Sequence, residues 1–191
     1  MALQEEIRRS PRERLLEAAQ ELFYAEGVQS VGIDRVIERA GVAKASLYTT
    51  FGSKEGLARA YLDEYHQRLI GRRRAAAEAA ADPVSAILAI FDSLAHDYVR
   101  PDYNGCAFAG ARAEAPAGGL IDDATHAFRA DLRALFRELC AEAGAADPDQ
   151  LAYQLHMLYS GGAEGAKLDR DPQVAQAQRA AVEALLNAAL G

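Results

Sequence analysis

Lys44, Ser46, Tyr48, Thr49 and Lys54 fall within eleven residues, and their ammonium and hydroxyl groups are of the kinds that hydrogen-bond to base edges and phosphate oxygens. The chemistry open to them is recognition. Elsewhere, His66, His96, His126 and His156 recur every thirty residues. No nucleophile, carboxylate pair or phosphate loop accompanies them in a recognisable motif, so no residue is assigned a catalytic role and an enzyme is not expected. Cys106 and Cys140 stand alone, without a Cys-x-x-Cys or a nearby histidine; no metal cage is expected from them, and no cofactor. Both read as ordinary reduced thiols. Arg112 lies among apolar residues and needs an anionic partner, either Glu114, Asp97 or a ligand carboxylate.

These residues must be carried by helices. Half of the chain is hydrophobic and alanine dominates that half, which favours helix because alanine loses no side-chain entropy on ordering. Four polar residues stand directly before proline: Ser10-Pro11, Asp82-Pro83, Asp147-Pro148 and Asp171-Pro172. Each reads as a helix start, the side chain capping an orphan N–H and proline filling a position that has no N–H to satisfy. Glu13 and Gln150 extend two of these into capping boxes. Apolar residues then recur at helical spacing, as in Leu15, Ala18, Ala19, Leu22 and Phe23, which end at Gly27. The pattern predicts an all-α chain of about nine helices, over 11–26, 33–40, 44–51, 54–78, 83–100, 105–115, 120–143, 148–166 and 172–189, with Gly27 and Gly144 closing the first and seventh.

Within this series, VGIDRVIERAGVAKASLYTTF (31–51) sets two short amphipathic helices on either side of Gly41. Ile33, Val36, Ile37 and Ala40 form the inner face of the first, and Leu47 and Phe51 pack the second back upon it. Lys44, Ala45, Ser46, Tyr48 and Thr49 are left outside. That is a helix-turn-helix layout suited to the major groove, although two short helices about a glycine also occur in proteins that never touch DNA.

Formal net charge is −7, but residues 1–60 hold nine cations and nine anions, so the acidic excess lies wholly in the remainder. A neutral N-terminal module can show phosphate a basic face, while the acidic part should stay off DNA. No apolar run is long enough to span a bilayer, and MALQEEIRRS lacks the apolar stretch of a secretion signal; no membrane partner and a cytoplasmic location are expected.

The stretch AGVAKASLYTTFGSKEGLARAYL resembles the signature of the tetracycline-repressor (TetR) family, and Ala18, Leu22, Phe23 and Gly27 fit that family's first helix. The resemblance implies an N-terminal three-helix DNA-binding domain over 8–68 and a helical ligand-binding and dimerisation domain over 69–191. Carried over by position, it implies DNA contacts from Arg35, Lys44, Ala45, Ser46, Tyr48, Thr49 and Lys54, with Lys54 on a phosphate at a helix N-terminus. Arg8, Arg9 and Arg12 would follow the backbone or enter the minor groove. Two departures stand out: Val31 and Gly32 replace the hydroxyl residue that usually opens the second helix, and Thr49 is shorter than the family's common histidine.

For the C-terminal part the resemblance implies a homodimer through the last two helices, to which Leu155, Leu158, Tyr159, Gly162, Val174, Ala181, Leu185 and Leu186 are assigned. It also implies a pocket for a small organic ligand, to which Phe91, Tyr98, Phe108, Arg112, Phe128, Tyr153 and His156 are assigned. The expected function is release of a palindromic double-stranded DNA operator when that ligand binds. The alternatives are control by a protein partner, control by oxidation of Cys106 or Cys140, or, least favoured, a helical enzyme.

Overall fold

The capping residues start the chain as expected. In the computed structural model, which describes residues 9–191 and so leaves Arg8 outside, Ser10 accepts from the Glu13 N–H while the Glu13 carboxylate accepts from Ser10 N at 2.7 Å. This complete capping box opens α1 (Pro11–Glu26). Ser10→Ala is expected to cost about 1 kcal/mol, read as a drop in thermal or urea stability; an unchanged midpoint would deny the box any energetic role.

Eight further helices follow among the described residues: α2 (Ile33–Ala40), α3 (Lys44–Phe51), α4 (Lys54–Glu78), α5 (Pro83–Tyr98), α6 (Ala107–Glu114), α7 (Leu120–Glu142), α8 (Pro148–Asp169) and α9 (Gln173–Leu190). Asp82 and Asp147 cap α5 and α8 through the N–H groups of Ser85 and Gln150. α9 starts one residue later than expected, because Asp171 accepts from Gln173 N and leaves Pro172 as the cap. α8 outruns expectation by three residues, ending where Arg170 turns left-handed at φ 51°.

The chain forms two compact units: residues 9–65 with 107–126, and 66–106 with 127–191. The expected division into 8–68 and 69–191 puts 107–126 in the C-terminal part. They belong to the first unit because Phe108 meets the Tyr65 ring at 5.9 Å, Glu114 accepts from Gln29 N at 2.7 Å, and Leu120 N donates to Glu55 at 3.1 Å. The core of this unit runs through Leu15, Phe23, Val36, Leu47, Leu57, Leu62 and Phe108, all buried. Apolar burial of this kind is the main force holding short helices that would not persist alone.

In the second unit α5, α8 and α9 pack together, and Phe91 stacks on Phe136, with Tyr159 edge-on to both. Arg73 lies fully buried here. Its guanidinium donates to Tyr159 Oη at 3.1 Å, to Ser93 Oγ at 2.6 Å and to Asp97 Oδ2 at 2.6 Å. Asp97 also accepts two bonds from Arg72. The carboxylate thus compensates a charge that could not otherwise be taken out of water. Among the described residues no helix is long and apolar enough to cross a membrane.

Candidate nucleic-acid interface

The α2–α3 turn fixes the angle at which α3 is presented. Gly41 takes a left-handed conformation, φ 61° and ψ 41°, and its N–H donates to Glu38 O while Val42 N donates to Ile37 O. Those two bonds are a Schellman closure, which requires a residue at ease with positive φ. Val36, Ala40 and Leu47 are buried between the helices, so α3 is held by its inner face alone.

Its outer face is open. Lys44, Ala45, Tyr48, Thr49 and Thr50 are exposed, Tyr48 to 48%, and Ser46 is half-buried. A groove lined by Ser10, Pro11, Arg12, Ala45, Ser46, Thr49 and Thr50 runs between α3 and the start of α1. It adds the α1 terminus to the surface, a neighbour that linear spacing could not show. Thr50 is less free than exposure suggests, since its hydroxyl donates to Ser46 O at 2.7 Å.

The cations are poised unequally. Lys44 Nζ pairs with Asp34 at 2.8 Å, both well exposed, and the hydrogen bond to that carboxylate holds the ammonium above the usual lysine range. Such a surface pair is weak and screened, so a phosphate can replace the carboxylate. Arg35 forks onto Glu26 with bonds of 2.7 and 2.9 Å, which ties α2 to α1 and makes its guanidinium a structural clamp unless DNA displaces Glu26. Lys54 donates to Gln29 O at 3.3 Å beside the first turn of α4, where Ser53 Oγ accepts from Gly56 N. Gly32 caps α2 with no side-chain bond, as the missing hydroxyl foretold. Arg9 pairs with Glu17, and Arg12 with Glu64 at 3.4 Å.

The residues assigned to a ligand divide between the two units. Phe108 and Arg112 belong to the first unit, and Phe91, Tyr98, Phe128, Tyr153 and His156 to the second. Phe91, Phe108 and Phe128 are core residues in ring contacts. Arg112 pairs with Asp122, not with Glu114 or Asp97, and bonds Ala115 O; α7 begins with acids at 122 and 123, which puts one within its reach. Tyr98 donates to Gln178 at 2.9 Å, and Tyr153 is exposed. His156 is buried with its Nδ1 lacking a partner.

Several residues assigned to the dimer contact are turned inward instead. Leu155, Tyr159 and Leu186 are buried, because the same apolar stripes pack α8 and α9 onto α5. A Cβ on Gly162 would lie 2.1 Å from Gln178, so this glycine serves α8–α9 packing within the chain. Leu158, Val174 and Leu185 are half-buried and Ala181 exposed. The large apolar residues of α8 that stand exposed are Tyr153, Met157 and Leu168, and Ala177, Ala181 and Ala184 of α9 are exposed as well. Cys140 is buried, and burial pushes its thiol up to about 11; Cys106 is half-buried.

The family profile described as "Bacterial regulatory proteins, tetR family" matches residues 15–61, the segment from α1 into α4. The chain is 37% identical over 90 residues to the HTH-type transcriptional activator FasR of Mycolicibacterium smegmatis, a match covering 45% of this chain and 41% of that one. The matched part thus spans less than half of that relative's length. The fold is similar over 95% of this chain to a TetR-family transcriptional regulator from Streptomyces coelicolor, with 33% identity, 96% of that chain covered and a TM-score of 0.88. It is also similar to the regulator CifR in a cysteine-mutant form complexed with 26-base-pair operator DNA, with 27% identity, 91% and 94% of the two chains covered, and a TM-score of 0.76.

Proposed function

The chain belongs to the TetR family of transcriptional regulators, which are DNA-binding proteins and not enzymes, and from that premise we propose that it is a homodimeric, cytoplasmic repressor released from a palindromic operator by a small organic ligand. The observation that carries the reading is the outward face of α3, with Lys44, Tyr48 and Thr49 exposed above a buried Leu47. Lys44 and Tyr48 combine reach with hydrogen bonding there, and the groove at Ser10–Arg12 gives a neighbouring surface for phosphate. CifR, bound to operator DNA in its structure, supports the same mode for this chain.

Two recognition helices are needed, set about 34–36 Å apart or a multiple of it to meet successive major grooves. A second copy on the exposed Tyr153, Met157 and Leu168 and the α9 alanines supplies the other. The ligand acts through unequal affinity for bound and released forms; moving a population from 1:99 to 99:1 takes about 5.5 kcal/mol of preference.

Lys44→Ala is expected to weaken operator binding by about 1–3 kcal/mol if the ammonium reads a base, or to flatten the salt slope by about one if it holds a phosphate. Anisotropy titrations of Lys44→Ala and Tyr48→Phe at several salt concentrations decide it. Unaltered affinity and slope in both would move the recognition surface off α3.

A further inference from the structure

Nearly every described cation of the first unit has an acceptor. From Arg9 on Glu17 to Arg112 on Asp122 they reach carboxylates, and Lys54 reaches the Gln29 carbonyl. Arg14 of α1 is the exception, with no ion pair or side-chain hydrogen bond among the described residues. The carboxylates within a turn of it on α1, Glu13 and Glu17, are engaged by Ser10 and by Arg9. Its stem is held in place: the residue is half-buried, and its Nε is shut off from solvent without an acceptor. Buried polar atoms nearly always have a partner, and a partly desolvated charge is costly until an anion answers it.

The position of the guanidinium identifies that anion. Its Nη1 lies 3.7 Å from the point that a Cβ on Gly41 would occupy, against the left-handed turn between α2 and α3. In a helix-turn-helix the first helix crosses the DNA backbone while the second enters the major groove, so the turn joining them sits beside the phosphates. Ser10 and Pro11, which line the groove next to α3, precede Arg14 by one turn on the same face of α1.

We propose that Arg14 is a further DNA-contacting residue, its guanidinium taking a backbone phosphate of the operator beside the α2–α3 turn. A guanidinium can give a phosphate two parallel bonds. Lys44 must leave Asp34, and Arg35 must leave Glu26, before either meets DNA; Arg14 gives up no ion pair. The contact positions the protein without reading sequence. The proposal rests on the reading of α3 as the recognition helix, and adds to it the cation that holds the strand at its entry.

The test measures anisotropy of two labelled duplexes, one selected by the wild-type chain from a random pool and one of random sequence, at several chloride concentrations. For R14Q the affinity is expected to fall about tenfold on both duplexes alike, and the salt slope to flatten by about one for each copy bound. R14K keeps the slope. The thermal midpoint of R14Q stays level or rises, because no ion pair is lost. R14M, which retains an apolar stem, is read alongside, so that poor folding of one variant leaves the slope measurable in the other. An unchanged slope in both neutral variants overturns the proposal; joined to a lower midpoint, it makes Arg14 a structural cation at the negative end of α2. A loss confined to the selected duplex overturns it as well, since Arg14 would then read a base. A wild type that binds the selected duplex through Lys44 and Tyr48 while R14Q is unimpaired rejects Arg14 alone, whereas one that binds neither duplex rejects the α3 reading with it.

Discussion

Asp97→Ala is expected to cost about 3–5 kcal/mol, because it leaves the buried Arg73 charge with only neutral oxygens around it. Arg73 is inaccessible to water, and of the three side chains that its guanidinium contacts only Asp97 is ionised. Ser93 and Tyr159 can accept its N–H groups but cannot neutralise it. Urea denaturation of the variant is the measurement. A loss below about 1 kcal/mol would mean that water reaches the guanidinium, as it does at exposed pairs. Replacing both partners, Arg73→Met with Asp97→Leu, is expected to recover most of the loss, because a pair removed together leaves no orphan charge. Arg72 would then lose its acceptor too, but it lies in reach of solvent.

Gly56→Ala is the second large effect, and it falls on the DNA-reading unit. A Cβ at Gly56 would stand 2.1 Å from the backbone oxygen of Phe51, the last residue of α3. Backbone cannot swing aside as a side chain can, so the start of α4 and the end of α3 must separate. Overpacking of this order costs about 1–3 kcal/mol or more. A tilt of α3 is expected to weaken operator binding by about tenfold or more, the worth of one good base contact. Gly71→Ala, in the same helix with nothing within 4 Å of the added carbon, serves as control and is expected to stabilise by up to about 1 kcal/mol. Equal behaviour of the two variants in melting and anisotropy would remove the steric argument.

Much of the architecture was legible because its signals are local. Ser10, Asp82 and Asp147 announce their helices through side chains that reach only three residues onward, and the left-handed Gly41 marks the turn between two short amphipathic stripes. The outward set on α3 follows from the same periodicity. Long-range pairing was not legible. The rule that an arginine among apolar residues needs an acid points to Arg112, whereas the arginine that meets it most severely is Arg73, which stands between Arg72 and Arg74 in the sequence and is fully buried. Its acid is 24 residues away on α5. Phe91, one of the residues assigned to a pocket, shows the same limit: it stacks on Phe136 of a different helix, and only the fold brings the two rings together.

The membership of 107–126 in the first unit bears on how such a protein can be recombined. A chimera that takes residues 1–65 from this chain and everything else from a relative would cut the reading head away from its own support. Phe108 against Tyr65, Glu114 on the Gln29 N–H, and Leu120 between Glu55 and Arg59 would all become contacts between strangers. Specificity is therefore not portable at a single junction in this chain. A working graft must transplant two stretches that are 41 residues apart in sequence, and substitutions in either are constrained by the other, so the two should be exchanged together or not at all.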